Sequence, residues 1–375
     1  MTSPLRIVVA TRIAGTPTQA GNTWAMLQYL LGLRQLGHDV WLIDIVDRSN
    51  ASIESYFAVL TAEYGFETRS ALLNAEAPRE TVGLTYTALQ DVLSGADILL
   101  NISGVLRDPT LLGAVARRVY VDLDPAFSQL WQHAEGIDMG FADHTDFVTI
   151  GVNLGQAECP VPTLGLPWRV TLQPIVLDRW PVAPPNPSGN LTTIANWRGY
   201  GSITHDGVFY GQKAHALREL VALPTLCDDR FLLALAIDPA EVKDLALLSA
   251  NRWHLIDPVD ACGTPGRYQQ FIRDSKAEFG VAKTGYVASR CGWFSDRSVC
   301  YLTSGRPVIA QDTGFNRILP TGEGLFSFRT VEDALAAVAA MNADYSRHAA
   351  SARALAEEYF DSNRVLSRLL AQLGA

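Results

Sequence analysis

The chain reads as an α/β protein built from two Rossmann-like, doubly wound domains that face a central cleft. Three features predict this. In the first half, short apolar runs rich in β-branched residues alternate with stretches of helical spacing, the pattern of a parallel sheet covered by helices. Residues 181–189, PVAPPNPSG, then place four prolines in nine positions, a natural linker. Beyond the linker the alternation starts again. The expected division is therefore residues 1–180, residues 190–345, and a C-terminal helical segment, 346–375, packing back on the N-terminal domain.

Leu5–Ala10 is a β-branched apolar run, as expected of a strand buried on both faces. Residues 11–22 form a loop rich in Gly, Thr and Pro. Trp24, Leu27, Leu30 and Leu31 follow at helical spacing, predicting a helix over Thr23–Leu36 that Gly37 ends. Asp39–Val46 is the next strand, with further strands at Ile98–Ile102, Val119–Leu123 and Phe147–Ile150. After the linker, strands are predicted at Leu191–Asn196, Phe231–Ile237, His254–Ile256, Glu278–Ala282 and Pro307–Ala310. Helices are predicted at His215–Ala222, Ala240–Ala250 and Asp296–Thr303. The last 45 residues or so read as two or three alanine-rich amphipathic helices.

Composition narrows the function. Of 375 residues, 48% are hydrophobic and 18% charged, a packed globular protein and not a disordered chain. Thirty Lys and Arg against 39 Asp and Glu leave a net charge of -9. That argues against a broad basic footprint for nucleic acid or an anionic membrane, so an anionic ligand needs a local site. The five cysteines are widely spaced, odd in number and contain no Cys-x-x-Cys, which argues against a disulfide framework or zinc cluster and fits a reducing cytoplasm. The seven histidines show no paired spacing, and no metal site is expected. The longest apolar run, Phe231–Ile237, falls far short of the ~20 residues that span a bilayer, so no membrane insertion is expected. Met1–Arg6 carries no charged-then-apolar pattern, and no signal peptide is read.

Three segments carry the chemistry. In Trp293–Phe315, WFSDRSVCYLTSGRPVIAQDTGF, Gly305 ends a helix, Pro307 prevents its continuation, and Asp312-Thr313-Gly314 makes a turn after the next strand. The helix start at Ser295 and Asp296 presents free N–H groups suited to phosphate or ribose oxygens. Tyr210–Leu217, YGQKAHAL, sets Lys213 at the opening of a helix. Ile13–Trp24, IAGTPTQAGNTW, places Gly15 and Gly21 where backbone can approach a ligand, yet it is neither a Walker A loop nor Gly-x-Gly-x-x-Gly. Together these segments resemble those of two-domain glycosyltransferases of the GT-B fold.

That resemblance implies a nucleotide-sugar donor, such as a UDP-sugar, with its diphosphate in the interdomain cleft. Residues 1–180 would form the acceptor side and 190–345 the donor side. Lys213 would reach the pyrophosphate, with Lys283 and Arg297 as further cations, beside Gly15, Gly21, Thr313 and Gly314. Where related enzymes carry a ribose-binding Glu, this chain has Cys300; Asp296 or Ser298 would take over that contact. No metal or other cofactor is implied.

An inverting transfer also needs a general base near the cleft. Asp124, in YVDLDP, and His144, in DHTDF, are the candidates; a retaining enzyme needs neither. Asp122-Leu123-Asp124 also matches a fragment of a hard-cation site, an alternative that the duplicated α/β pattern disfavours. Trp197, after the first strand of the second half, either stacks on the nucleotide base or is a buried loop residue. The acceptor is open: a small molecule, a glycan or modified nucleic acid. A nucleotide-sugar epimerase of the same fold, a transferase acting on modified DNA and a non-catalytic two-lobed binding protein remain alternatives.

Overall fold

Residues 4–77 and 79–375 are described by a computed structural model; Met1–Ser3, the start of the segment read as lacking a leader, lie outside them. The first sheet comprises β1 (Arg6–Thr11), β2 (Asp39–Val46), β3 (Ser70–Asn74), β4 (Thr81–Gly83), β5 (Ile98–Ile102), β6 (Arg118–Asp122), β7 (Asp146–Thr149) and β8 (Trp168–Val170). Their spatial order is β4-β3-β2-β1-β5-β6-β7-β8, with only the β3–β4 pair antiparallel. Central β1 pairs Val8 with Trp41 on one side and with Leu99 on the other. Helices cover both faces, and this is why the RIVVAT run carries no alternating polar residue. They are α1 (Ala20–Gln35), α2 (Ala51–Tyr64), α3 (Tyr86–Ser94), α4 (Pro109–Gly113) and α5 (Phe127–His133).

The second half holds β9 (Leu191–Asn196), a small hairpin of β10 (Ile203–His205) and β11 (Val208–Tyr210), then β12 (Phe231–Ala236), β13 (Trp253–Ile256), β14 (Ala277–Gly280), β15 (Val308–Gln311) and β16 (Leu325–Phe328). Six of these form an all-parallel sheet in the order β13-β12-β9-β14-β15-β16. Its helices are α6 (Lys213–Glu219), α7 (Val242–Ala250), α8 (Pro258–Cys262), α9 (Pro265–Asp274), α10 (Thr284–Ser289), α11 (Asp296–Thr303), α12 (Val331–Ala343), α13 (Tyr345–Leu355) and α14 (Ser362–Leu373).

Two boundaries differ from expectation for reasons that matter at the site. α1 starts at Ala20, not Thr23, because the Thr23 N–H already reaches Gln19 O; Gly21 therefore lies inside the first helical turn. β14 stops at Gly280, not Ala282. Val281 O instead accepts from Lys213 Nζ, and Ala282 N donates to Gln311 Oε1, so these backbone groups leave the ladder for side chains.

The chain crosses at the linker and returns at its end. Ile175 N donates to Phe360 O (2.8 Å) and Ser362 N to Ile175 O (2.9 Å). α14 then buries Leu366, Leu369, Leu370 and Leu373 against the first half. Gly32 of α1 makes this close approach possible: a Cβ there would sit 2.6 Å from Leu366 Cδ1. Trp24 adds a second tie, its indole N–H donating to Pro265 O (3.0 Å) and its ring meeting Trp180 edge-on. Among the described residues no helix is long and apolar enough to cross a membrane.

Candidate functional site

In an open parallel sheet, ligands bind beyond the carboxyl ends of strands where the order changes direction. In the second sheet that point lies between β9 and β14, since β12 continues to one side and β15 to the other. The loops that open there are Trp197–Gln212 and Val281–Lys283. α11 points its start into the same crevice, which Gly280, Ser295, Arg297, Ser298, Gln311 and Phe315 help to line. Ser295, the N-cap of α11, does not turn its hydroxyl onto the first-turn N–H groups. The acid at that end is Asp296 in the first turn, whose carboxyl lies against the N–H groups of Asp296 and Arg297.

Three cations meet at this crevice. Lys213 opens α6, yet its ammonium is buried and donates to Val281 O. Burial pulls its pKa well down, and the nearby charges of Arg297 and Lys283 pull it further, while Glu278 opposes them. Arg297 is anchored from behind, Nε on Glu278 Oε1 (2.6 Å) and Nη1 on Ile194 O (2.8 Å). Glu278 is fully buried, and its other oxygen, Oε2, has no partner. Lys283 lies 3.7 Å from the ring centre of Tyr200. Three basic side chains are thus gathered where water is scarce, with Glu278 beside Arg297 and Lys213, and Asp296 beside Arg297; an oxyanion held there would be bound strongly.

Asp124 faces this cluster from the first half. Its Oδ1 accepts from Tyr200 OH (2.7 Å), from Tyr286 OH and from Lys283 Nζ (3.2 Å). Asp122 does not join it. That carboxylate is fully buried and taken by Ser128 Oγ (2.7 Å), Gln129 Nε2 (2.9 Å) and Thr149 Oγ1 (2.9 Å), with burial raising its pKa. The Asp-x-Asp pair is thus divided between a structural role and the cleft. Among the described residues no group of three His, Cys, Asp or Glu is placed to hold a metal.

Several expected site residues lie elsewhere. His144 is buried at the amino end of β7: Nδ1 donates to Gly140 O (2.7 Å), and Nε2 receives Asn101 Nδ2 (3.0 Å). Burial lowers its pKa, and in this neutral tautomer neither nitrogen is free to take a proton. Trp197 is a core residue whose indole N–H donates to Asp244 Oδ2 (3.1 Å), so it offers no ring to a nucleotide base. Gly21 serves packing, not a ligand: a Cβ there would press on the Tyr268 ring at 3.2 Å. Gly15 remains in the loop after β1, with only Val46 near its missing Cβ.

The remaining candidates line the cleft or brace it. Thr313 donates its hydroxyl to Trp293 O. Gly314 takes φ +94° beside Asn153 of the first half, whose Nδ2 donates to Gly314 O (3.0 Å) and Arg290 O (2.9 Å). Asp296 is half-buried; it turns toward Tyr29 of α1 and shares with Cys300 a cavity between the halves. Sequence reasoning missed Asp44, whose carboxylate accepts from Thr11 Oγ1, Ile13 N and Ala14 N and so sets the loop that carries Gly15. An acid in the middle of the apolar run DVWLIDIV was the available signal. Glu278, Asn153 and Tyr286 were missed as well, since their roles come from partners distant in sequence.

The sequence matches no known family profile and no curated protein. Solved structures match along the whole chain. Anabaena HepE in complex with UDP and glucose superposes with a TM-score of 0.61 at 13% identity, covering 99% of this chain and 100% of that one. An alpha-glucosyltransferase in complex with UDP-glucose and DNA containing an abasic site gives 0.64 at 13% identity, with 100% of both chains covered. The alpha-glucosyltransferase AGT in complex with UDP gives 0.62 at 12% identity, over 99% of this chain and 100% of that one. With two parallel α/β sheets meeting at a cleft, and these neighbours along its full length, the chain has the GT-B glycosyltransferase fold.

Proposed function

We propose that this protein is a glycosyltransferase that takes a sugar from a UDP-sugar donor and passes it to an acceptor hydroxyl. The observation that carries this reading is the gathering of Lys213, Lys283 and Arg297 at the carboxyl ends of β9 and β14, the switch point of the second sheet. The neighbours of the same fold hold UDP or UDP-glucose, which agrees with a diphosphate in that place. The cations and helix N–H groups would stabilise the charge that develops on the departing nucleotide, so the reading includes no metal.

The choice between stereochemical outcomes turns on the base. His144 has both nitrogens engaged, and the Asp124 oxygen nearest the cations already receives three donors. A retaining transfer, in which a departing phosphate oxygen takes the acceptor proton, needs no such base and fits this arrangement better. The net charge of -9 favours a small molecule or glycan as acceptor over DNA, although several of the matching solved structures of alpha-glucosyltransferase hold DNA. Five free cysteines fit a cytoplasmic enzyme.

Isothermal titration with UDP, GDP, TDP and ADP tests the reading, with UDP expected to bind most tightly. A folded sample that binds none of them overturns it. Turnover of donor to an epimer without any acceptor would instead identify an epimerase, and salt-sensitive DNA binding would bring back the DNA acceptor.

A further inference from the structure

A second set of cations lies where the chain passes from the first half to the second. Two adjoining hollows of about 310 and 450 Å³ open there and share Asp178 and Arg179 of the crossing segment. From the first half, α1 brings Arg34 and α2 brings Glu63 and Tyr64; from the second, α9 brings Arg273. Volumes of this order suit a small molecule, and ligand sites favour the boundary between domains. None of Lys213, Lys283 and Arg297 lines either hollow, so the place is separate from the candidate donor site.

The three guanidiniums of this groove have few fixed partners. Arg34 gives one N–H to Gly65 O (3.1 Å) and lies over the Phe66 ring (4.7 Å). Arg179 lies 6.0 Å from the centre of the Tyr64 ring. Gln269 Nε2 donates to Arg179 O (2.6 Å) and Arg306 Nε to Arg273 O (3.1 Å), but among the described residues the guanidiniums of Arg179 and Arg273 themselves donate to nothing. Neither these three arginines nor the two acids of the lining, Glu63 and Asp178, form an ion pair among the described residues. Burial, then the charges of Arg179 and Arg69, lower the pKa of Arg34, so the guanidiniums stand close enough to oppose one another. In a chain of net charge -9, cations gathered without paired carboxylates mark a place that an anion would relieve.

The guanidinium selects the anion. Its planar fork pairs with two oxygens at once, so several forks suit a tetrahedral phosphate better than a single point charge does. Leu31, Tyr64 and Pro181 add apolar surface beside the arginines, room for an organic group carried by the phosphate. Glu63 and Asp178 oppose an extended polyanion, which leaves one phosphate group as the fitting charge.

We propose that this groove is a second anion site, in which Arg34, Arg179 and Arg273 take a phosphate group, free or carried by a small organic molecule. Its walls come from both halves and from the segment that joins them, so a ligand there braces the hinge about which the halves would close. The proposal is independent of the glycosyltransferase reading.

Calorimetric titration of the full chain with inorganic phosphate and with phenyl phosphate decides it. The native chain is compared with Arg179→Ala, Arg34→Ala and, on the donor side, Lys213→Met; circular dichroism establishes that each is folded. The native and Lys213→Met chains are expected to share one saturable equivalent of phosphate. Arg179→Ala should weaken that equivalent by about tenfold or more, and Arg34→Ala several-fold. Tighter binding of phenyl phosphate than of inorganic phosphate would assign an ester as the ligand; equal binding would assign free phosphate. Saturable binding that Lys213→Met abolishes and Arg179→Ala leaves intact would place the phosphate in the donor site and overturn the proposal. Absence of saturable binding by the native chain would leave these arginines as solvated surface groups and overturn it as well. Failure to bind UDP counts against the transferase reading alone and changes none of these outcomes.

Discussion

Lys213 shows how one residue can be both buried and functional. Its ammonium sits in a place that favours loss of the proton, first through burial and then through Arg297 and Lys283. A bound diphosphate supplies the missing negative charge and restores the charged form. UDP binding is therefore expected to take up protons, measurable by titration in buffers of different ionisation enthalpy. Lys213→Met should remove that uptake and weaken UDP by about tenfold or more, with a melting temperature no lower than that of the native chain, because a lowered lysine pKa marks a charge that folding disfavours. Asp44 shows the opposite shift. Burial raises its carboxyl from 3.8 to about 6 against the pull of three hydrogen bonds. A folded pKa above the unfolded one gives stability that is fully present below about pH 4 and is lost as pH rises through about 6. Carboxyl carbon NMR should show Asp44 titrating near 6 in the native chain; a midpoint near 4 would contradict this.

At the scale of elements, the contact between α1 and α14 depends on an absent side chain. A Cβ at Gly32 would lie 2.6 Å from Leu366 Cδ1 and 2.8 Å from Ser362 Cβ. Gly32→Ala gains up to about 1 kcal/mol of helix propensity but forces overpacking that costs ~1–3 kcal/mol. A net loss of about 1 kcal/mol is expected, read as a lower urea midpoint; a rise would show that α14 shifts freely. Such contacts explain what the sequence could and could not convey. β1, β2 and β5 were legible because strands buried on both faces are written as largely apolar runs, and β9 through its β-branched Thr192, Thr193 and Ile194. α11 was legible from Ser304-Gly305-Arg306-Pro307, which stops a helix and starts a strand. The β10–β11 hairpin was not, since three-residue strands leave no periodicity to read. Within the site, Lys213, Lys283 and Arg297 were legible through a family resemblance attached to short local motifs. Glu278 behind Arg297, Asn153 against Gly314 and Gln28 against Val176 were not, because each acts on a partner more than 15 residues away, a pairing that only the fold creates.

Across the whole molecule, the two halves meet through a polar clasp that uses part of the candidate donor site. Asp124 of the first half holds Tyr200, Tyr286 and Lys283 of the second through a single oxygen. Lys283 is thus engaged by a carboxylate, and a diphosphate at this place must compete for it. The pair is only partly buried, with side-chain exposures of 20% and 37%, so its contribution is ~1 kcal/mol and not the larger value of a dry ion pair. Asp124→Asn keeps the shape and an acceptor for the tyrosines but removes the competing charge. UDP should then bind more tightly by a few-fold, in keeping with that free energy, while the unliganded chain should show a larger radius of gyration by X-ray scattering because the clasp is weaker. Transfer should fall if the clasp also closes the cleft around the donor. Weaker UDP binding in Asp124→Asn would instead mean that the Asp124 carboxylate positions Lys283 for the diphosphate, with the tyrosine hydroxyls holding it in place from behind.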